Sequence, residues 1–372
     1  MHHADPADLV GLLSLEDADH LLTATAIRTP SIRLAKDGSV LAEASYTRSA
    51  TLAGKPLSGL VDPRKTLALF DEGATIVFQG LHRYWPPITR LVAELELELG
   101  HPCQANAYLT PPGSQGFAVH SDSHDVFVFQ TAGAKQWEVH TPDGVEDLTL
   151  EPGLSLYLPT GTPHAARAQQ TVSLHVTLGI NQLTWRGLTR RSVAALLDEV
   201  PDDHLPAGYL DDPAALADGL ADRLASLAEQ VRGLDARAAV DDEVRRFLTG
   251  RTSRLAGGLI DATRLDDLDD TTPLRRRPGH PCVLLRRDDR LEVLLGDRFL
   301  DVPGWLEPAL EEIRRRPELR PADLAEHLDE QSRLVLCRRL VREGLLEYEF
   351  TPRRSSPPPL RSSTEQRRGD PE

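Results

Sequence analysis

Between residues 101 and 185 the hydrophobic and polar positions alternate in short runs that glycine and proline separate. The run Thr171–Ile180 alternates cleanly, with valine, leucine and isoleucine on one face and Ser173, His175 and Thr177 on the other. Such alternation is typical of β-strands that turn one face to a hydrophobic core. Short strands joined by tight turns predict a mainly β core, as in a double-stranded β-helix or cupin jelly roll.

On either side of this β-rich segment the hydrophobic positions follow a helical period. The segment Ile88–Leu99 repeats them every three or four residues, which predicts an amphipathic helix. A longer stripe follows the cap pair Asp212 and Pro213, and its members are Leu216, Leu220, Leu224, Leu227, Val231 and Leu234. A stripe of this length packs in a helical bundle, across a dimer interface or against its own chain.

The last part of the chain mixes strand and helix patterns. The turn-rich segment Thr271–Gly279 precedes predicted strands at Cys282–Leu285 and Leu291–Leu295, three predicted helices and a closing strand. The helices are Trp305–Ile313, Pro321–Leu328 and Ser332–Arg342. This order predicts a winged-helix-like module. Its last helix carries arginines among acidic residues, so a protein contact or an architectural role is favoured over DNA binding.

The composition shifts divide the chain into four predicted segments. They are a cupin-like domain at 1–186 with its core at 101–185, a helical domain at 187–270, a winged-helix-like domain at 271–352 and a disordered tail at 353–372. The tail is rich in proline, serine and arginine, a composition that does not bury enough apolar surface to fold.

Two histidines and an aspartate in the β-rich segment have the spacing of metal ligands. His120 and Asp122 are two positions apart, so in a strand their side chains point the same way. His164 follows after a predicted strand and turn. Two imidazoles and one carboxylate hold Fe(II) by one face and leave about three positions for a cosubstrate and O2.

Each part of this interpretation has an alternative. A lone His-x-Asp pair is common by chance and would then be a surface or capping pair. His124 is a rival ligand, but His120, Asp122 and His124 would be spread along about 13 Å of strand, which strains a single site. We therefore predict that His164 completes the set and that His124 lines the cavity or supports a ligand.

The same segment resembles the JmjC-type cupin ribosomal oxygenases, which are Fe(II)- and 2-oxoglutarate-dependent protein hydroxylases. The chain carries each part of that family's pattern in order: Asn106 and Tyr108, Thr110–Phe117, His120 and Asp122, Gly133, Lys135 and Trp137, then Pro159, Gly161 and His164. The resemblance implies Fe(II) on the His-Asp-His set, 2-oxoglutarate as cosubstrate and O2 as oxidant. It also implies a homodimer formed through the helical domain.

By the same resemblance Lys135 pairs with the distal carboxylate of 2-oxoglutarate. A lysine beside a tight turn suits a dicarboxylate, although a solvated lysine is the commoner case. Asn106 and Tyr108 share a strand face and are candidate hydrogen-bond partners of the cosubstrate, or else ordinary barrel residues. We also predict that Ser173 and His175 line the cosubstrate pocket.

Charge and cysteine content narrow the partners and the compartment. The net charge of −15 and the pI near 5.3 fit a basic protein partner, such as a ribosomal protein, better than a nucleic acid. No apolar run approaches a membrane span, and the N-terminus lacks the features of a secretory signal. Cys103, Cys282 and Cys337 form neither a disulfide framework nor a zinc pattern, so we expect reduced thiols in the cytoplasm.

The function predicted from the sequence is hydroxylation of a protein side chain, a histidine or an arginine of a ribosomal protein. One alternative is a 2-oxoglutarate-dependent hydroxylase of a peptide or small-molecule natural product. Another, from a different class, is a non-catalytic cupin or winged-helix regulator. The regulator hypothesis predicts that a metal ligand or the cosubstrate-binding lysine has been lost, and this chain retains both.

Overall fold

The computed structural model describes residues 2–3, 9–114, 118–168, 170–211 and 213–349. The end of the predicted 110–117 loop, the Asp212 cap and the tail at 353–372 lie outside the described residues. The chain divides into two compact units. The first contains Met1–Ser253 and Pro278–Val302, and the second contains Arg254–Arg277 and Pro303–Glu372.

Strands of the first unit form the predicted β core. In chain order they are β1 (His2–His3), β2 (Ile32–Lys36), β3 (Ser39–Val40), β4 (Thr47–Leu52), β5 (Lys55–Val61), β6 (Thr75–Phe78), β7 (Cys103–Thr110), β8 (Asp125–Ala132), β9 (Lys135–Thr141), β10 (Gly144–Leu150), β11 (Leu154–Leu158), β12 (His164–Ala168) and β13 (Ser173–Ile180). The main sheet has the order β1-β11-β8-β13-β7-β6-β2-β3 and the smaller sheet the order β10-β9-β12. The central pairs are antiparallel, and non-consecutive strands lie side by side, as in the predicted cupin jelly roll.

Helices cover one face of the main sheet. The helices of the first unit are α1 (Leu15–Ala24), α2 (Pro63–Asp71), α3 (Pro86–Leu99), α4 (Trp185–Asp198), α5 (Pro213–Arg232) and α6 (Ala236–Thr249). Leu21 of α1 and Val92 of α3 belong to one hydrophobic cluster with Leu174, Val176 and Leu178 of β13. The apolar face of β13 therefore meets the helices, and its polar face points into the space between the two sheets.

Helix α5 is the long helix that the leucine stripe predicts. None of its residues with described side chains is buried, and its apolar face is open: Leu220 is 55%, Leu224 56% and Val231 41% exposed. Such a face is either a contact for another molecule or a solvated surface.

The second unit combines short helices with a small sheet. Its helices are α7 (Gly258–Ala262), α8 (Glu307–Arg315) and α9 (Glu330–Arg342). Beyond β13 the strands are β14 (Leu274–Arg276), β15 (Val283–Arg287), β16 (Arg290–Leu294), β17 (Phe299–Pro303), β18 (Glu318–Leu319) and β19 (Leu346–Tyr348). The small sheet of the second unit has three strands in the order β18-β14-β19. Strands β15 and β16 lie in the first unit.

Two local features of this region differ from the sequence-based expectations. The predicted helix at Pro321–Leu328 is a 3-10 helix confined to Pro321–Leu324. The strands predicted at 282–285 and 291–295 form as β15 and β16, but they belong to the first unit, whereas α8 and α9 belong to the second. The winged-helix-like assignment and the domain limits given above stay predictions. No helix among the described residues has both the length and the apolar character needed to cross a bilayer.

Candidate active site

Hydrogen bonds of the backbone bring the two separated stretches of the metal motif together. His120 and His164 exchange both backbone hydrogen bonds, with N–O distances of 3.0 and 2.8 Å. Gly161 N donates to Asp122 O at 2.9 Å. Residue His120 forms only this isolated bridge rather than a regular strand. The pairing nevertheless places ligand atoms of His120, Asp122 and His164 within 4.8 Å of one another.

Both histidines present the same ring nitrogen to the site. His120 Nδ1 lies 2.9 Å from Ala118 O, and His164 Nδ1 lies 2.9 Å from Thr162 O. A carbonyl oxygen only accepts, so Nδ1 carries the proton and the Nε2 lone pair is left for a metal ion. Burial lowers the pKa of His164, which favours the neutral ligand form.

These three groups fit an Fe(II) centre. His164 Nε2 and Asp122 Oδ2 are 3.7 Å apart, close enough to bind one ion together. Two neutral imidazoles and one carboxylate are the donors of a facial triad, which leaves positions open for other ligands. Asp122 is partly exposed, and His120 is exposed. The metal end of the site is therefore accessible from solvent.

A cavity of about 220 Å³ adjoins these ligands and lies between the two sheets. The smaller sheet contributes Lys135, Trp137, His164 and Ala166 to its lining. The main sheet contributes Val126, Val128, Tyr108, His175, Thr177 and Thr75. Lining residues from the same strand are two positions apart. Residues opposite each other in an antiparallel pair point to the same side of the sheet, so neighbouring strands turn their lining residues the same way.

Lys135 is the buried cation of this cavity. This residue begins β9, directly after a tight turn at Gly133. A Cβ atom at position 133 would lie 1.9 Å from Val172 O, so only glycine fits in the turn. Lys135 is 3% exposed, and Nζ donates to Thr110 Oγ1 at 3.0 Å. Burial lowers its pKa to about 7. The described residues place no carboxylate within salt-bridge distance of this ammonium group.

Aromatic rings pack around Lys135. His175 Nδ1 lies 3.5 Å from Lys135 Nζ, and its ring stacks on Tyr108 at 4.9 Å between centroids. The edge of His175 meets Trp137 at 5.5 Å. Burial and, secondarily, the charge of Lys135 hold the pKa of His175 well below its usual range, so this imidazole is neutral. The cation is thus left without a charged partner among the described side chains.

The other predicted residues lie outside the cavity lining. Asn106 Oδ1 accepts a hydrogen bond from Gly80 N at 3.0 Å. Ser173 Oγ accepts one from Gln130 Nε2 at 3.0 Å and is fully buried. The ring of His124 packs against Gly179 and does not line the cavity. The structure therefore places Lys135, Tyr108 and His175 in the cavity lining with the three ligands, whereas Asn106, which hydrogen-bonds Tyr108, does not line the cavity, and neither do Ser173 and His124.

Some lining residues were not anticipated from the sequence. Arg33 enters from β2, and Thr75 enters from β6, where its hydroxyl donates to Thr110 Oγ1 at 3.2 Å. Neither belongs to a motif. The only signal is alternation, since Arg33 stands between buried Ile32 and Leu34, but alternation does not say which side of a sheet faces a cavity.

Comparison with known proteins agrees with this geometry. A family model described as the JmjC domain matches residues 84–145 and 141–188. Residues 84–188 are therefore similar to the JmjC domain. The matched range contains the three ligands and all the predicted cosubstrate residues. The resemblance that the sequence motifs indicated is confirmed.

Curated relatives of the JmjC domain are oxygenases. A bifunctional lysine-specific demethylase and histidyl-hydroxylase NO66 from Branchiostoma floridae is 35% identical over 161 residues, which are 41% of this chain and 26% of that protein. Human ribosomal oxygenase 1 is 30% identical over 257 residues, covering 61% of this chain and 39% of that protein. The chain thus spans less than half the length of these relatives.

A solved structure shares the fold over most of the chain. The Escherichia coli ribosomal oxygenase YcfD is 18% identical, with a TM-score of 0.52 over 91% of both chains. Another structure of YcfD, with a TM-score of 0.51, contains cobalt and 2-oxoglutarate. At this identity the match shows a common architecture, a cupin core with mainly antiparallel sheets.

Proposed function

We propose that this chain is an Fe(II)- and 2-oxoglutarate-dependent oxygenase that hydroxylates a protein side chain. The observation that carries the proposal is the juxtaposition, in one cavity, of a His-Asp-His ligand set and a buried lysine that lacks a carboxylate partner among the described residues. Fe(II) bound there would catalyse a reaction in which O2 oxidises both 2-oxoglutarate and a C–H bond of the substrate. The products are an alcohol, succinate and CO2.

The residues of the chain divide the work of binding. His120, Asp122 and His164 would hold the metal through two Nε2 atoms and a carboxylate oxygen. Lys135 would receive the distal carboxylate of 2-oxoglutarate, since a buried ammonium group is stabilised by an anion and no described carboxylate lies within salt-bridge distance of it. The ring of Trp137 contacts both ends of the site, since it lies 5.9 Å from the ring of His164 and 5.5 Å from the ring of His175.

Succinate formation from 2-oxoglutarate in the presence of Fe(II) and O2 tests the proposal. We expect Asp122→Ala and His120→Ala each to lower the rate by at least about 100-fold, since even residues behind the ligands change activity by roughly that factor. His140→Ala is the matched control, because this histidine of β9 bonds Glu138 at 2.8 Å and does not line the cavity. Equal rates in the parent and all three variants would reject the assignment.

The substrate that we propose is a ribosomal protein, with a histidine or an arginine as target. The relatives are named as ribosomal oxygenases and histidyl-hydroxylases, and the net charge of −15 suits a basic partner. Incubating undermodified ribosomal proteins with the enzyme, and with Asp122→Ala, tests this by mass spectrometry. Addition of one oxygen atom only by the active enzyme supports it. Succinate formation that no ribosomal protein stimulates favours a peptide or small-molecule substrate.

We propose further that the open apolar face of α5 forms a homodimer. Leu220, Leu224 and Val231 present this face and are 55%, 56% and 41% exposed. We expect Leu224→Glu to halve the mass measured by light scattering. Ala225→Glu on the opposite side of the helix is the control and leaves the mass unchanged. A parent protein that is already monomeric would contradict the proposal.

A further inference from the structure

The turn formed by residues 159–163, between β11 and β12, supports two of the three metal ligands. Gly161 N donates to Asp122 O at 2.9 Å and so holds the backbone of the carboxylate ligand. Thr162 O accepts the hydrogen bond from His164 Nδ1 at 2.9 Å and so orients the imidazole ligand. The turn therefore links the backbone of Asp122 to the ring of His164.

A single carboxylate outside the cavity anchors this turn. Asp125 begins β8, and its Oδ1 accepts hydrogen bonds from Thr160 N at 2.8 Å and Thr160 Oγ1 at 2.7 Å. Its Oδ2 accepts a hydrogen bond from Tyr157 Oη at 2.5 Å. Gln182 Nε2 donates weakly to the hydroxyl of Thr160 at 3.5 Å.

The charge and the location of Asp125 suit a role as an anchor. Burial raises the pKa of Asp125, but the hydrogen bonds from Tyr157 and Thr160 together lower it by more, so the pKa lies below its usual range. Hydrogen bonds to an ionised acceptor are about twice as strong as neutral ones. Asp125 does not line the cavity, whereas the next residue, Val126, does. The carboxylate therefore reaches the turn through Thr160 rather than by lining the cavity.

We propose that Asp125 is a positioning residue of the metal centre, acting through Thr160 on the 159–163 turn and hence on Asp122 and His164. The inference rests on the proposed function, because it takes these residues as ligands of one metal ion. Ligands from separate stretches need such a support, since the backbone between Asp122 and His164 does not itself fix their distance. Tyr157 bonds the same carboxylate but does not belong to the turn.

Titration with Co(II) in the absence of 2-oxoglutarate tests this positioning role without any turnover. We expect Asp125→Ala and Thr160→Val each to weaken Co(II) binding by about 10–100-fold and to change the visible absorption of the bound ion. Thr160→Ser restores the hydroxyl and binds Co(II) as tightly as the parent. Tyr157→Phe removes one hydrogen bond from the same carboxylate, so it measures the effect of a general loss of stability.

The outcomes separate positioning from stability and from the proposed function. Weakened Co(II) binding in Thr160→Val but not in Thr160→Ser or Tyr157→Phe supports the role, even if Asp125→Ala does not fold. Parental Co(II) affinity in folded Thr160→Val, or equal weakening in Tyr157→Phe and Thr160→Val, overturns it. A parent that binds Co(II) but forms no succinate overturns the function alone, whereas a parent that binds no Co(II) overturns both.

Discussion

The two ends of the cavity are built in opposite ways. At the metal end, His120 and Asp122 reach solvent, and hydrogen bonds of the backbone hold the ligands in place. At the other end, Lys135 and His175 are each 3% exposed, and their side chains contact Thr110, Tyr108 and Trp137. The metal end can exchange ions and ligands with solvent. The cation end is closed by packing, and the described residues place no carboxylate within salt-bridge distance of its lysine.

This difference assigns separate energetic roles to the two ends. An ammonium group without a carboxylate destabilises the folded protein, because burial disfavours the charged form. A bound dicarboxylate removes that cost. The metal end should therefore decide whether an ion binds, and the cation end should decide which acid binds beside it.

Removing the cation should have the largest effect. We expect Lys135→Met to weaken binding of 2-oxoglutarate by about 10–100-fold, the value of a charged hydrogen bond, while Co(II) affinity stays that of the parent. The free energy of unfolding of the ligand-free protein should rise by about 1–4 kcal/mol, as when buried charges are replaced by apolar groups. Calorimetry with Co(II) and urea denaturation measure the two quantities.

Lys55→Met is the control for this substitution, since Lys55 is an exposed lysine of the β4–β5 hairpin. It should change neither binding nor stability. If Lys135→Met lowered the stability, the lysine would be part of the structural support of the fold, and the separation of roles would be wrong.

The pH dependence of cosubstrate affinity should be the next largest effect. The pKa of Lys135 is lowered from 10.5 to about 7, so the ammonium loses its proton as the pH rises through about 7. Only the protonated form pairs with the dicarboxylate, so affinity should fall by up to about tenfold for each pH unit above this value. Lys135→Arg keeps its charge and should remove this dependence.

The same pKa fixes the sign of a stability change. Between pH 7 and 10.5 the unfolded chain binds a proton that the folded, ligand-free protein has lost. Lys135 therefore makes stability rise with pH across this window. A stability that stays constant between pH 7 and 9, measured in the parent relative to Lys135→Met, would show that the lysine remains charged when buried.

The smallest effects should distinguish two residues of one strand. His175→Phe keeps an aromatic ring beside Tyr108 and Trp137 but removes the nitrogen next to Lys135. We expect it to weaken 2-oxoglutarate binding by roughly 2–10-fold, the value of one neutral hydrogen bond. Ser173→Ala should leave binding unchanged, since this hydroxyl bonds Gln130 away from the cavity. A larger effect for Ser173→Ala would place it in the cosubstrate site.

The residues at the metal end of the cavity were easier to predict from the sequence than the arrangement of residues at the cation end. The ligands His120, Asp122 and His164 were predicted because a local spacing and a recurrent order of motifs identify them. The site residues at the other end depend on the register of four strands. That register places His175 opposite Tyr108, and it could not be deduced from any one strand.

Two further features had only a weak signal in the sequence. Alternation placed His124 on the same face as the ligands, but the chain there is not a regular strand, and its ring turns to Gly179. Arg33 reaches the cavity from a strand far away in sequence. Periodicity shows which residues share a face, whereas contacts between remote strands decide what that face meets.

The division of the chain into units has a consequence for dissecting it. Residues 278–302 belong to the first unit, although the sequence on both sides belongs to the second. Glu292 of β16 forms a salt bridge with Arg245 of α6 across this interruption. A truncation after the turn-rich 271–279 segment would therefore remove β15 and β16 from the first unit. It would also leave only residues 254–277 of the second unit attached. The two units are interleaved, so neither can be excised by a single cut.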